Sequence, residues 1–300
     1  MVVYAGQGDA RRAMELLWRD RDGKEKRTAP GPKPELSVDL VVETAIALAD
    51  EEGMDALSMR AVGGRLGRTA MSLYTYVASK NELVELMYDQ AFAELADAAE
   101  SDTEQDWRAA TTSWTVRLWD FCLRHPWTLE VSQARPVLGP GEYRLFESLA
   151  AVLHRAGLAP VRIRSAYGNL FTLVRGPART ASEARRAEAV TGRPEDEWWY
   201  ERSAELERVA PDFAERFPTL TLMSEQGAFD NEDMDKPYLE QEAWETFRFG
   251  LEALLDGIEA AISAQGRGVS GQGEERSAIG APKSTTPPRS PGAGGPETAG

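Results

Sequence analysis

The 300-residue chain has one cysteine, Cys122, and two histidines, His125 and His154. A lone cysteine excludes an intramolecular disulfide framework and a cysteine-rich zinc site, and two histidines offer little to a metal centre. No cofactor or metal is therefore expected. No run of 18 or more apolar residues occurs, so no membrane span is expected. Met1 is followed by a mixed polar stretch with Asp9, Arg11 and Arg12 instead of a signal peptide. A cytoplasmic protein is the plain reading. Strand-like alternation and internal repeats are missing too. The GVSGQG near residue 268 has neither the strand before it nor the helix after it that a phosphate loop requires.

Basic residues are also scarce overall. The chain carries a formal charge of −15, which argues against indiscriminate coating of nucleic acid. One stretch reverses the sign. Residues 35–57 hold seven acids and no base, whereas from Ser58 to Asn81 there is no Asp or Glu, and Arg60, Arg65, Arg68 and Lys80 fall inside. Screening limits fields to about 10 Å, so this local island can meet a polyanion despite the acidic whole.

Helical spacing dominates the rest. Residues 1–34 read as a flexible basic N-terminal arm. A short helical pattern spans Ala10 to Trp18, and Lys24, Lys26, Arg27 and Lys33 lie among prolines too dense for a continuous helix. Such an arm could reach a DNA minor groove. Ser37 caps a helix whose stripe is Val38, Val41, Val42, Ala45, Ile46 and Ala49, and Gly53 closes it. Ser58 caps a second helix that Gly67 ends. Thr69 caps a short third helix to about Tyr76, and Ser79 caps a fourth with Leu83, Leu86, Met87, Ala91 and Leu95 on one face. Gly63 and Gly64 inside the second helix cost roughly 1 kcal/mol each relative to alanine, which a close helix crossing would offset.

Further helices follow over Trp107–Cys122, Tyr143–His154 and Val161–Val174, the last disturbed by Gly176–Pro177. Residues 183–236 are charged and read least clearly. The final helix, 238–264, carries Trp244, Phe247, Leu251, Leu254, Ile258 and Ile262 three or four apart. That face is longer than one partner helix requires, which suggests pairing with a second copy. Residues 266–300 hold nine Gly and five Pro and read as a disordered tail. The expected division is an arm over 1–34, a helix-turn-helix domain over 35–82, a helical ligand-binding and dimerisation domain over 83–265, and the tail. The fold class is all-α.

A recognition helix presents its N-terminal end to the major groove. It therefore wants small or polar residues at its start, and Thr69, Ala70, Met71 and Ser72 fit. Tyr74, Tyr76 and Lys80 supply donors for the flanking phosphates, and the helix starts at Ser58 and Ser79 are themselves potential phosphate seats. Gly53, Ser58-Met59-Arg60, Leu66-Gly67, Leu73-Tyr74 and Ser79-Lys80 occur in order over nearly fifty residues. With this set, residues 37–84 resemble the DNA-binding domain of the TetR family of bacterial transcriptional regulators. The resemblance implies that Tyr74 and Lys80 contact phosphates, that Ala70, Met71, Ser72 and Thr75 face bases, and that Arg60 reaches the backbone or a base. Tyr76 stands where many members have His, and Arg68 where the residue is often aliphatic, adding a possible contact.

The resemblance also implies a C-terminal domain that dimerises and usually binds a small-molecule inducer. A hydrophobic ligand needs apolar walls and a few polar anchors. Trp114, Phe121, Tyr143, Phe146, Tyr167 and Phe171 are candidate walls, and His125, Asn169 and Arg175 candidate anchors. The expected partners are a double-stranded DNA operator, an inducer and a second copy of the chain, with the protein acting as a repressor. An all-helical enzyme finds no support, since neither a Glu-x-x-His pair nor a nucleophile motif stands out. A helical adaptor whose basic island meets an acidic protein would lack sequence preference on DNA.

Overall fold

The computed structural model describes residue 4 and residues 8–19, 36–99, 106–231, 233 and 236–272. Its elements are helices: α1 (Ala10–Leu17), α2 (Val38–Glu52), α3 (Met59–Leu66), α4 (Ala70–Leu73), α5 (Lys80–Ala99), α6 (Trp107–Arg124), α7 (Pro140–Arg155), α8 (Pro160–Thr191), α9 (Glu195–Val209), α10 (Phe213–Arg216), α11 (Pro218–Glu225) and α12 (Tyr238–Gln272), with a 3-10 turn over Pro126–Glu130. No strand occurs among the described residues, and none of their helices is long and apolar enough to cross a membrane.

Helices α2–α4 close a small core of Val41, Val42, Ala45, Leu48, Ala49, Val62 and Leu73. The expected caps form. Ser37 Oγ accepts the Leu40 N–H at 3.1 Å, and Ser58 Oγ accepts that of Ala61 at 3.1 Å. Gly67 ends α3 at φ 64°, a left-handed conformation that costs glycine nothing. The Arg68 N–H then donates back to Gly63 O at 2.8 Å. A Cβ on Gly63 would lie 2.8 Å from the Arg68 carbonyl oxygen, so the close approach is between α3 and the turn leading into α4; Gly64 faces open space and has no such role.

α5 leaves this core and enters the body. It is buried on several faces at once, through Leu83, Val84, Met87, Tyr88, Ala91, Phe92 and Leu95. It packs against α7, α6 packs on α8, and α8 runs along α12. At roughly 1.5–3 kcal/mol for each large apolar side chain removed from water, this aromatic-rich interior dominates the fold's stability.

Four expectations change. First, residues 10–17 are not part of a free arm. Asp9 caps α1, Leu17 is buried, Arg12 pairs with Glu82 of α5 at 3.2 Å, and Trp18 Nε1 donates to Leu138 O at 3.0 Å. The basic cluster at 24–33 lies outside the described residues. Second, α8 passes through Gly176–Pro177 without ending. Proline sacrifices one backbone hydrogen bond, but Val174, Ala178 and Ala181 on either side are buried, and that packing holds the helix. Third, α12 extends to Gln272, beyond the expected boundary at 265; residues 273–300 lie outside the description. Fourth, the apolar stripe of α12 is already used inside the chain. Phe247 stacks on Trp119 of α6 at 5.4 Å, and Leu251, Leu255 and Ile258 are buried.

Candidate nucleic-acid interface and ligand domain

The predicted interface is assembled by the α3–α4 turn. α4 is only four residues long, ending at Leu73 before the expected Tyr76. Backbone bonds from Tyr76 and Val77 to Leu73 O, at 2.9 and 3.0 Å, extend it as turns. Leu73 anchors it at zero exposure, and Met71, two residues earlier, points away with 76% of its surface free. Thr69, Tyr74 and Thr75 are exposed beside it. Ala70, Ser72 and Tyr76 are half-buried, and Ala70 and Tyr76 pack against the core. Ser72 Oγ donates to Thr69 O at 2.7 Å, which leaves its lone pairs to accept from a base N–H.

The charge island is smaller than the sequence implies. Arg65 is drawn back to Glu51 and Glu52 at the end of α2, at 2.7 and 2.6 Å. The cations left on the exposed face are Arg60, Arg68 and Lys80. Lys80 Nζ donates to Met54 O at 3.3 Å, which holds the side chain beside the domain. The α5 start is no open phosphate seat. Ser79 Oγ accepts the Glu82 N–H at 3.1 Å, and the Glu82 carboxylate turns back onto the Ala78 N–H, placing negative charge at that helix end.

His125 is at the junction with the DNA-binding helices, not in a ligand cavity. Its Nδ1 lies 2.8 Å from Asp50 Oδ1, and Trp127 Nε1 donates to the same oxygen at 2.8 Å. Arg124 Nε donates to His125 Nε2 at 3.2 Å, which leaves the proton on Nδ1 facing Asp50. Asp50 belongs to α2, so α6 and the 3-10 turn are bonded directly to the helix-turn-helix domain. The sequence gives no sign of this, because Asp50 reads as one more acid in an acidic segment.

The other ligand candidates divide. Trp114, Phe121, Tyr167 and Phe171 share one aromatic interior with Phe146. Tyr167 lies 4.5 Å from Phe146, 5.6 Å from Phe171 and 5.7 Å from Trp114 between ring centroids. Trp114 Nε1 is satisfied by Ser148 Oγ at 3.0 Å. Tyr143 and Asn169, expected among the ligand contacts, lie outside that interior. Tyr143 is 48% exposed and faces Trp18 of α1, and Asn169 is exposed on the outer side of α8. Arg175 does reach inward. Its Nη2 donates to the carbonyls of Thr128, Leu129 and Val131 at 3.1–3.4 Å, while Nη1 is buried without a hydrogen-bond partner.

α5 contributes Tyr88 and Phe92 to this interior. Phe92 is 4.3 Å from Tyr88 and 5.5 Å from Phe121, and the Tyr88 hydroxyl accepts from Gln133 Nε2 at 2.6 Å. Burial pushes the phenols of Tyr88 and Tyr167 far up and the Cys122 thiol up to about 12, against the opposing pull of Arg175. The stripe of Leu83, Leu86, Met87, Ala91 and Leu95 accounts for one face of α5 only; Tyr88 and Phe92 are buried beside it because the helix is covered on more than one side.

These two units, an exposed helix-turn-helix and a helical body with an aromatic interior, have the architecture of a helix-turn-helix DNA-binding regulator. Residues 41–87 match the family model described as bacterial regulatory proteins, tetR family, and residues 100–262 match the tetracyclin repressor-like C-terminal domain. The HTH-type transcriptional repressor DrrR1 of Streptomyces coeruleorubidus is 36% identical over 266 residues, spanning 89% of this chain and 91% of DrrR1. An HTH-type transcriptional regulator of Saccharopolyspora erythraea is 32% identical over 162 residues, or 54% of this chain and 66% of that protein. Apo ActR of Streptomyces coelicolor has the same fold, with a TM-score of 0.57 at 24% identity over 78% of this chain and 99% of ActR. The chain belongs to the TetR family of transcriptional regulators.

Proposed function

We propose that the protein is a cytoplasmic homodimeric repressor that leaves a palindromic operator when a small hydrophobic or aromatic ligand enters the body between α5, α6, α7 and α8. The observation that carries the DNA-binding part is the acid-free α3–α4 face, with Met71, Tyr74, Arg60, Arg68 and Lys80 directed outward. Met71, Ser72 and Thr75 would read bases with Ala70, while Tyr74, Lys80, Arg60 and Arg68 would hold phosphates beside Thr69 and Tyr76. Support for repression comes from DrrR1, the repressor related over most of this chain.

A second copy would dock on the outer sides of α8 and α12. Gly168, Gly176 and Gly257 have open space where a Cβ would stand, and Phe249 is largely exposed on that side of α12. Such a two-fold pair would present two α4 helices to two half-sites. For the ligand, Trp114, Phe121, Tyr167 and Phe171 would supply walls, and the unpartnered Nη1 of Arg175 a buried donor. Crystals of ActR hold actinorhodin in one structure and (S)-DNPA in another. A ligand that moved Arg175 would pull on the 3-10 turn, and through His125 and Trp127 on Asp50 and α2.

The test is binding of the full chain to its own upstream intergenic duplex against scrambled competitor. With six to ten phosphates held by a dimer, affinity should fall about 10³–10⁵-fold between about 50 and 200 mM salt. Binding that scrambled DNA abolishes as readily as specific DNA refutes the reading and leaves the basic face to an acidic protein partner.

A further inference from the structure

α9, α10 and α11 join α8 to α12 without a single buried side chain. Where α9 meets the start of α12, a cavity of about 800 Å³ opens. Trp199, Tyr238 and Phe229 form aromatic walls, and Glu188, Glu195 and Asp196 bring three carboxylates to the same space. The Trp199 and Tyr238 rings meet edge to face at 5.9 Å, and Glu195 fixes this corner by accepting the Tyr238 N–H at 2.8 Å. Glu188 has no ion-pair partner among the described residues.

Positive charge does not cancel these carboxylates. Lys236, the lysine in the wall, is paired with Asp233 at 3.1 Å. Arg193, next to the lining residue Pro194 in the chain, is paired with Glu201 at 2.5 Å, and Arg202 lies over the Trp198 ring. This open cleft therefore combines aromatic faces with surplus negative charge, and its volume lies in the range of sites that take drug-sized ligands.

We infer that this cavity binds an organic cation with a flat apolar body. Ring faces attract a cation through their quadrupole, Glu188 and Asp196 add direct charge attraction, and the same carboxylates repel an anion of equal size. The site shares no residue with the aromatic interior between α5 and α8, and binding to it stands apart from DNA recognition.

The test uses fluorescence anisotropy of the full chain without DNA. The probes are rhodamine 6G, a cationic xanthene dye, and fluorescein, an anionic one of similar ring system. Rhodamine 6G should bind saturably and roughly ten-fold or more tighter than fluorescein, with affinity falling as sodium chloride rises. Glu188→Gln and Trp199→Ala should each weaken it by roughly ten-fold. Trp199 and Glu188 are exposed, so unchanged far-UV circular dichroism can verify that the variants fold. Equal affinity for both dyes, or rhodamine binding indifferent to both substitutions, overturns the inference.

Discussion

Replacing Asp50 should loosen the joint between the two domains more than any surface change of similar size. Asp50 Oδ1 accepts from both His125 Nδ1 and Trp127 Nε1 at 2.8 Å, and those two side chains are buried. Asp50→Ala leaves two buried donors unsatisfied. Each costs about 1–3 kcal/mol, and with partial rescue by water at the quarter-exposed Asp50 the sum is about 2–4 kcal/mol. At roughly 2–4 °C per kcal/mol for a chain of this size, Tm should fall by about 5–15 °C. Asp50→Asn keeps an acceptor oxygen in the same place and loses only the charge, so its cost should be about 1 kcal/mol. The assay is thermal and urea unfolding of the three proteins, followed by operator binding with and without ligand. If the junction transmits the ligand signal, Asp50→Ala should also flatten the ligand response while Asp50→Asn retains most of it. Equal Tm for Asp50→Ala and wild type, or equal losses for the alanine and asparagine variants, would refute the reasoning.

On DNA, Lys80→Ala and Arg60→Ala should weaken binding to every sequence and lower the salt slope by about one each per half-site, whereas Met71→Ala should change sequence preference at constant slope; titrations at several salt concentrations separate the two. Arg12→Ala removes the ion-pair partner of Glu82, whose side chain is 6% exposed. Glu82 keeps its bond from the Ala78 N–H and Arg12 is partly exposed, so the loss should be about 1–2 kcal/mol, and urea unfolding against Arg11→Ala, whose partner Glu15 is exposed, provides the control. Cys122 has no exposed surface and its thiol is raised from 9.0 to about 12 by burial. Native protein at pH 8 should resist iodoacetamide and react only on unfolding. Because the folded state holds this proton more tightly, stability should decline as pH rises from 9 towards 12, measurable by urea midpoints.

The DNA-binding half was legible because its signals are local. Caps at Ser37, Ser58 and Thr69 and the left-handed Gly67 depend on neighbours within a few residues. What the sequence hid was long-range. Arg65 counts as a cation in a linear tally, but folding sets it against Glu51 and Glu52. Tyr143 has the same aromatic character as Tyr167, yet one faces Trp18 at the surface and the other lies in the interior. The α12 stripe was read as surplus because Trp119, which covers it, sits more than a hundred residues away. Pro177 reads as a break by local rules and loses to the burial of its neighbours.

The placement of polar bonds explains how such a body could pass on a signal at all. The rings of Phe92, Phe121, Phe171 and Tyr167 are in mutual contact, and elements joined by such contacts shift in discrete steps instead of bending continuously. The principal contacts of the DNA-binding helices with that body are the continuous α5, α1 lying along it, and the 3-10 turn against α2. The turn is gripped from both sides by directed hydrogen bonds, with Arg175 holding its carbonyls and Asp50 holding His125 and Trp127, and the end of α1 makes a second such bridge, from Trp18 to Leu138 O and from Arg19 to Asp39 of α2. Bonds to a carboxylate contribute about 1.5–3 kcal/mol each, and allosteric coupling energies are typically 1–3 kcal/mol. If ligand binding exchanged one of the Asp50 bonds, that energy would suffice to bias the orientation of α2 and, through it, of α4.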